Sequence, residues 1–355
     1  MSIEIRSILP LEYEEAKRMW DVCFPGDENG FSDHYFSKRT NPENVLALFE
    51  DGVMKASLHI LRQTACFFDT PKEIGFVAGV ATLPLYRRKG FANMLLREAF
   101  RVMRRTGLCA AMLQPFSHDF YRKTGFETFV TRKIYALDKS DRHKYKKAYL
   151  QEPSAQRMLD IYEKFMQRFS GYRKRDIKDF ELLLDEIACT RGLAVQSGEA
   201  YAFCETDGNT AVVTETAGEN LTSLMAALLF MGFDAVKFPL PENLIIPDLD
   251  FAPEPFNMLR ILDAEGFLQG LPAENGEFVF SIIDGEIEEN CGRFRLTAAG
   301  NTVQKIEKIS AKIKGDTAEI SELMLAACGI AKPSQHLYSG HVFSGKAVNY
   351  AFERY

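Results

Sequence analysis

Arg87-Arg88-Lys89-Gly90-Phe91-Ala92 places three cations, a glycine and a small residue at the start of an amphipathic segment. That order of residue types suits an anion such as a pyrophosphate. The first turn of a helix leaves backbone N–H groups without intrahelical partners, and they point at one place. Gly90 and Ala92 are small enough for phosphate oxygens to approach the main chain. The helix dipole adds a favourable field, and Arg87 and Arg88 can each grip phosphate through two N–H groups. Taken without context, the same residues are a basic helix start on a solvated face.

The neighbouring residues supply the context. Phe76, Val77, Val80 and Thr82 are apolar or β-branched, as in a buried strand that leads into the turn. Phe91, Met94, Leu95, Phe100 and Met103 recur at helical spacing, and Gly107 supplies the stop. Leu108–Leu113 is a second apolar strand, ended by Gln114-Pro115. Ser117 is then a good N-cap, with Tyr121 one turn into a short helix that Gly125 closes. A phenol of pKa ~10 can donate a hydrogen bond or a proton to an anion that forms beside it. As a lone tyrosine, Tyr121 reads as aromatic packing; within Phe120-Tyr121-x-x-x-Gly125-Phe126 the acid reading is favoured. His118 could be a general base, but it has no metal-type companion at a useful spacing and reads better as a loop or capping residue.

The stretch from Phe76 to Phe126 resembles the core of the GNAT N-acetyltransferases, and the chain as a whole resembles their three-domain Eis-like branch. The turn matches that family's pattern of Gln or Arg, two residues, Gly, one residue, then Gly or Ala. The resemblance implies acetyl-CoA as cosubstrate and no metal. It implies cosubstrate contacts from Val80, Ala81, Thr82, Arg87, Arg88, Lys89, Gly90, Phe91, Ala92, Asn93 and Ser117. Tyr121 would protonate the CoA thiolate, and an N–H of the Val80–Thr82 segment would hold the oxyanion.

The fold class expected is α+β throughout. Residues 1–140 read as a GNAT domain: strand Ile3–Ile8, helix Leu11–Cys23, an aromatic helix from Phe31, and strands Val45–Phe49 and Val53–Phe68 about an Asp51-Gly52 turn. A final strand runs over Phe126–Leu137, and Asp138–Lys147 is a basic connector. Residues 141–252 carry helices and alternating strands but no second Arg-x-x-Gly-x-Ala turn, and resemble the cofactor-less GNAT-like domain of that branch. Pro241–Pro255 reads as a linker. Residues 253–355, with strands near Met258–Leu262, Glu277–Ile283, Arg293–Thr297 and Lys308–Ile313, resemble a sterol-carrier-type domain.

In the resembling branch the terminal α-carboxylate returns to the acetyltransferase site, which gives that role to the main-chain carboxylate of Tyr355. A carboxylate of pKa ~3.3–3.7 is a weak base for an amine of pKa ~10.4. It would act chiefly by holding the ammonium and passing a proton through water. Tyr350, Phe352 and Tyr355 give the segment aromatic residues with which to dock, and the bland alternative is a frayed end. Phe24, Asp27, Phe31, Tyr35 and Phe36 form an aromatic, acidic set suited to an amine acceptor. Each of the aromatic ones serves equally well as core.

Composition bounds these readings. The chain has 355 residues, 46% of them hydrophobic, enough for two or three cores. Its net charge of -6 argues against nucleic acid as a partner, so the basic run Arg87–Arg105 is assigned to an anionic cosubstrate. Seven cysteines without a CxxC pair suit free thiols in a reducing cytosol. No leader and no spanning segment are expected, so the partners are acetyl-CoA and an amine, with neither nucleic acid nor membrane. The resemblance adds a homo-oligomer, commonly a hexamer. The function expected is amine N-acetylation by direct attack in a ternary complex; the alternative is an acyl-CoA- or lipid-binding regulator without turnover.

Overall fold

The computed structural model describes residues 2–27, 30–310, 316–330, 342–343 and 348–353. Its strands form three sheets. The first runs, edge to edge, through Ile3–Ser7, Val45–Glu50, Val53–Phe67, Thr70–Thr82, Ala110–Leu113, Met258–Ile261 and Glu127–Thr128, with Tyr172–Arg173 added beside Val53–Phe67. Only Thr70–Thr82 and Ala110–Leu113 pair in parallel within it, because the helix Phe91–Arg105 carries the chain across between them. That helix buries Phe91, Leu95, Leu96, Ala99, Phe100 and Met103 against the sheet.

The second sheet orders Phe251–Pro255, Thr131–Asp138, Ala235–Pro241, Thr210–Gly218, Ala200–Asp207 and Leu193–Gln196. Helices Ala155–Met166 and Ile177–Cys189 accompany it, the latter opened by a capping box between Asp176 and Asp179. The third sheet holds Thr302–Ile309, Gly292–Ala299, Gly276–Ile283 and Asp316–Glu319. The α+β class and the Asp51-Gly52 turn, both residues at positive φ, are as expected.

Several elements differ from the sequence reading. The expected strand Phe126–Leu137 is two strands in two sheets: Glu127–Thr128 in the first, Thr131–Asp138 in the second. The break falls where Phe129 and Val130 both donate to the Asn257 carbonyl, at 2.8 and 3.1 Å. Met258–Ile261, expected in the third unit, instead fills the gap between Ala110–Leu113 and Glu127–Thr128 of the first sheet. The proline-rich stretch expected as a linker contains the strand Phe251–Pro255, which its prolines tolerate because it lies at a sheet edge. The central strand begins at Thr70, well before Phe76. The expected strand Lys308–Ile313 ends, from residue 311 on, outside the described residues.

Buried ion pairs join the sheets. Arg260 meets Asp284 at 2.6 Å with both side chains fully enclosed. Arg175 bonds Glu215 through both its terminal nitrogens, at 2.7 and 3.0 Å. Removing one partner of such a pair strands the other charge, at a cost of about 3–5 kcal/mol.

Candidate active site

Gly90 caps the helix Phe91–Arg105 with φ +84°, a left-handed conformation that glycine adopts without strain. Open space lies in front of it, since a Cβ built there meets nothing within 4 Å. Arg87, Arg88 and Lys89 are exposed around this turn. Arg87 Nε donates to the Thr82 carbonyl at 3.2 Å, tying the turn to the end of the central strand. Lys55 Nζ donates to the Tyr86 hydroxyl at 3.0 Å, and Lys89 Nζ stands 4.8 Å from the Tyr86 ring centre. In the first helical turn, Asn93 holds a buried Oδ1 without a hydrogen-bond partner among the described residues. Cations, free helical N–H groups and an unused acceptor together fit a phosphorylated cosubstrate with amide groups.

The strand beside this turn opens to receive it. Thr70–Thr82 pairs with Ala110–Leu113 only from Ile74 to Phe76. Beyond Phe76 that edge meets no strand among the described residues, so its backbone groups are free for a ligand. On its other edge, against Val53–Phe67, the register slips between Ala78 and Ala81. The resulting bulge spans Gly79 and Val80, and Gly79 sits at φ +56°. A Cβ there would strike the Trp20 ring. The segment expected to hold the oxyanion is therefore the bulged one.

Tyr121 follows the second strand on the short helix His118–Arg122, whose N-cap Ser117 accepts from the Phe120 N–H at 3.4 Å. Its side chain is 3% exposed and shares a cluster with Val77, Phe91, Leu95 and Leu113; Val80 and Tyr86 pack against the same cluster. Phe116, Phe120 and Phe126 surround its ring, with centres 5.0 to 5.9 Å away. Burial pushes the hydroxyl well above the ordinary phenol value. It is thus a hydrogen-bond donor at neutral pH, and the same burial would raise the pKa of a thiolate formed beside it. His118 is held below its ordinary value by burial, so it is neutral at pH 7.

The acceptor set lies in a second cluster, which also takes the Ala81 methyl. Its centre is Trp20, which sequence reasoning did not single out. The Trp20 ring lies 4.8 Å from Phe24, 4.8 Å from Tyr35, 5.7 Å from Phe36 and 6.4 Å from Phe31. Its Nε1 donates to Asp27 at 3.0 Å. Tyr35 and Phe36 are buried, so they serve as the floor of this region, while Phe24, Phe31 and Asp27 are partly exposed. His59, also missed, bonds the Tyr35 hydroxyl through Nδ1 at 3.0 Å. The available signal was that Trp20 is the single tryptophan of the chain.

The basic run is used differently from the expectation. Arg97 pairs with Glu286 at 2.6 Å, Arg101 and Arg105 with Glu98 at 3.0 Å each, and Arg104 with the Leu262 carbonyl and Asn290. Only Arg87, Arg88 and Lys89 surround the helix N-terminus, because the later arginines lie farther along the helix, within reach of acidic and carbonyl groups. Tyr355 lies outside the described residues. Ahead of it, Tyr350, Phe352 and Glu353 are buried, and Phe352 lies 6.1 Å from the Tyr162 ring.

Residues 4–129 match the family model described as acetyltransferase (GNAT) domain. The likeness to a GNAT acetyltransferase domain covers these residues. Among solved structures it resembles a conserved protein of unknown function from Enterococcus faecalis V583, described as a "Probable N-Acyltransferase", with TM-score 0.83 and 16% identity over the whole of both chains. A GCN5-related N-acetyltransferase from Kribbella flavida gives TM-score 0.79 at 17% identity, covering 100% of this chain and 98% of that one. Eis1 from Mycobacterium abscessus gives 0.74 at 15% identity, covering 99% of this chain and 100% of that one. These likenesses show a shared fold along the chain. No curated protein matches it in sequence. The GNAT domain contains the turn, the opened strand and Tyr121, and domains of this family transfer acyl groups from acyl-CoA. Among the described residues no helix is long and apolar enough to cross a membrane, and no cluster of His, Cys, Asp and Glu could hold a metal.

Proposed function

We propose that this protein is an acetyl-CoA-dependent N-acetyltransferase that acetylates a primary amine by direct attack in a ternary complex. The observation that carries the reading is the strand Thr70–Thr82, whose edge towards Ala110–Leu113 meets no strand beyond Phe76 among the described residues, together with the Gly90 turn that follows it. The turn binds the pyrophosphate through helical N–H groups, Arg87, Arg88 and Lys89, with Phe91, Ala92, Asn93 and Ser117 lining the path. A backbone N–H of the Val80–Thr82 segment stabilises the oxyanion as the amine lone pair attacks the thioester carbon. The C–S bond then breaks and sulfur takes the Tyr121 proton. The α-carboxylate of Tyr355 anchors the incoming ammonium and receives its proton through water. Phe24, Asp27, Phe31, Tyr35 and Phe36 form the acceptor wall.

The same reading gives three units, residues 1–140, 141–252 and 253–355, with the strand crossings described above and a sterol-carrier-type third unit. It also gives a cytoplasmic homo-oligomer, hexameric by the resemblance; mass in solution tests that directly.

The decisive measurement is thiol release from acetyl-CoA across an amine panel, alongside a chain ending at Glu353. That truncation moves the terminal α-carboxylate back by two residues, from Tyr355 to Glu353, and keeps the buried Phe352 and Glu353. Turnover by the full chain and its loss in the truncated one support the mechanism. Turnover undiminished by truncation removes the chain end from it. Acetyl-CoA binding with no amine turned over makes the protein the acyl-CoA-binding regulator instead.

A further inference from the structure

A cavity of about 60 Å³ opens where Arg39, the helix Ile177–Cys189, the strand Thr210–Gly218 and the end segment at Phe352-Glu353 meet. Its walls are charged and internally paired. Arg39 Nε stands 2.8 Å from Glu186, Arg173 pairs with Asp179, and Arg175 serves both Glu215 and Glu353, the latter at 3.2 Å. Among the described lining residues, four carboxylates face three guanidiniums, which leaves one negative charge in excess. His34, 3.8 Å from Glu186 and 3.7 Å from Asp185, does not supply the missing cation at pH 7. Burial holds it below its ordinary value, with Glu186 and Asp185 opposing and Arg39 and Lys38 acting the same way as burial.

An excess charge in an enclosed site is unfavourable until a counter-charge enters. Glu353 carries it in the sense that its only guanidinium among the described residues, Arg175, is already bidentate to Glu215. Leu183, Ile187 and Phe352 give the cavity an apolar side. Arg175, with a side chain only 4% exposed, keeps a buried Nε–H without a partner, a donor that suits an oxygen acceptor. A guest with one ammonium neutralises the walls. A guest with two or three would leave them net positive beside three arginines.

We propose that this cavity, whose lining includes none of the acceptor wall Phe24, Asp27, Phe31, Tyr35 and Phe36, binds a monocationic amine, one ammonium on an apolar body bearing an oxygen, in preference to a polycation. The proposal does not rest on the acetyltransferase reading.

The test is calorimetric titration of the full chain with tyramine and with spermidine, without acetyl-CoA, in the wild type, Glu353→Gln and Arg173→Gln. Tyramine is expected to bind at least tenfold tighter than spermidine. Glu353→Gln should weaken tyramine at least tenfold by cancelling the excess charge, and Arg173→Gln should tighten it several-fold by doubling that charge. General damage to the fold would move both variants the same way, and their melting curves reveal it. Equal or tighter binding of spermidine, or shifts of the same sign in two variants that melt like the wild type, overturn the proposal. Thiol release with spermidine but no binding of tyramine overturns the cavity assignment and leaves the transferase reading standing. Tyramine binding with the predicted variant signs, but no thiol release with any amine, supports the amine site and overturns the transferase reading.

Discussion

The side-chain amide of Asn257 donates to the main-chain carbonyl of Glu353 at 2.8 Å. The Asn257 carbonyl accepts from Phe129 and Val130 at the point where the chain passes from the first sheet to the second. One buried residue therefore fixes both the crossing of the sheets and the approach of the end segment. Through it, the position of the final residues is coupled to the frame that carries Tyr121.

Asn257→Ala is expected to keep the crossing, which uses main-chain groups, and to release the end segment. Leaving the buried Glu353 carbonyl unpaired should cost about 1–3 kcal/mol in denaturant unfolding. Hydrogen exchange at residues 350–353 should accelerate while that at Phe129 and Val130 does not. Equal acceleration at both places would show that the two roles are not separable.

Tyr121→Phe removes one oxygen from a packed aromatic cluster and leaves its ring contacts in place. Turnover is expected to fall about 10²–10⁴-fold, the usual range for a lost general acid. Acetyl-CoA binding, read by calorimetry, should change little. Unaltered turnover would remove Tyr121 as the acid.

The two glycines at the site are expected to fail in different ways. Gly90→Ala meets open space but must hold φ +84°, so it should cost about 1 kcal/mol and weaken acetyl-CoA binding. Gly79→Ala must also displace the Trp20 ring. It should therefore destabilise more, by about 1–3 kcal/mol for the backbone alone, and perturb tryptophan fluorescence. A fluorescence change in Gly90→Ala and none in Gly79→Ala would contradict this packing.

His59 predicts an acid limit on stability. Burial lowers its pKa to about 3, against about 6.5 in an unfolded chain. Between those values the unfolded state binds more protons, so stability is complete above pH 6.5 and falls as pH drops towards 3. The slope contributed is up to about 1.4 kcal/mol per pH unit. His59→Gln, which keeps a polar group near Tyr35, should flatten the fall measured by urea unfolding at stepped pH. An unchanged slope would assign acid sensitivity to other groups.

Much of the candidate site was legible in the residues. The turn Arg87–Ala92, its helix and Tyr121 follow from local rules: small residues where backbone must be approached, apolar residues at helical spacing, and a cap before a short helix. Those rules act within a few residues, so the sequence alone could determine them. It could also determine the strand character of Thr131–Leu137 and Met258–Ile261.

Tertiary structure alone decided which sheet each strand joins, because pairing is set by distant edges and not by the strand's own pattern. It decided that Arg97, Arg101, Arg104 and Arg105 are spent on Glu286, Glu98, Leu262 and Asn290, since a charge's partner depends on what folds beside it. It centred the aromatic set on Trp20, against a bulge at Gly79. And it gathered Arg39, Arg173, Arg175 and Glu353 from remote parts of the chain around one cavity, where a single unbalanced charge acquires meaning only by being enclosed.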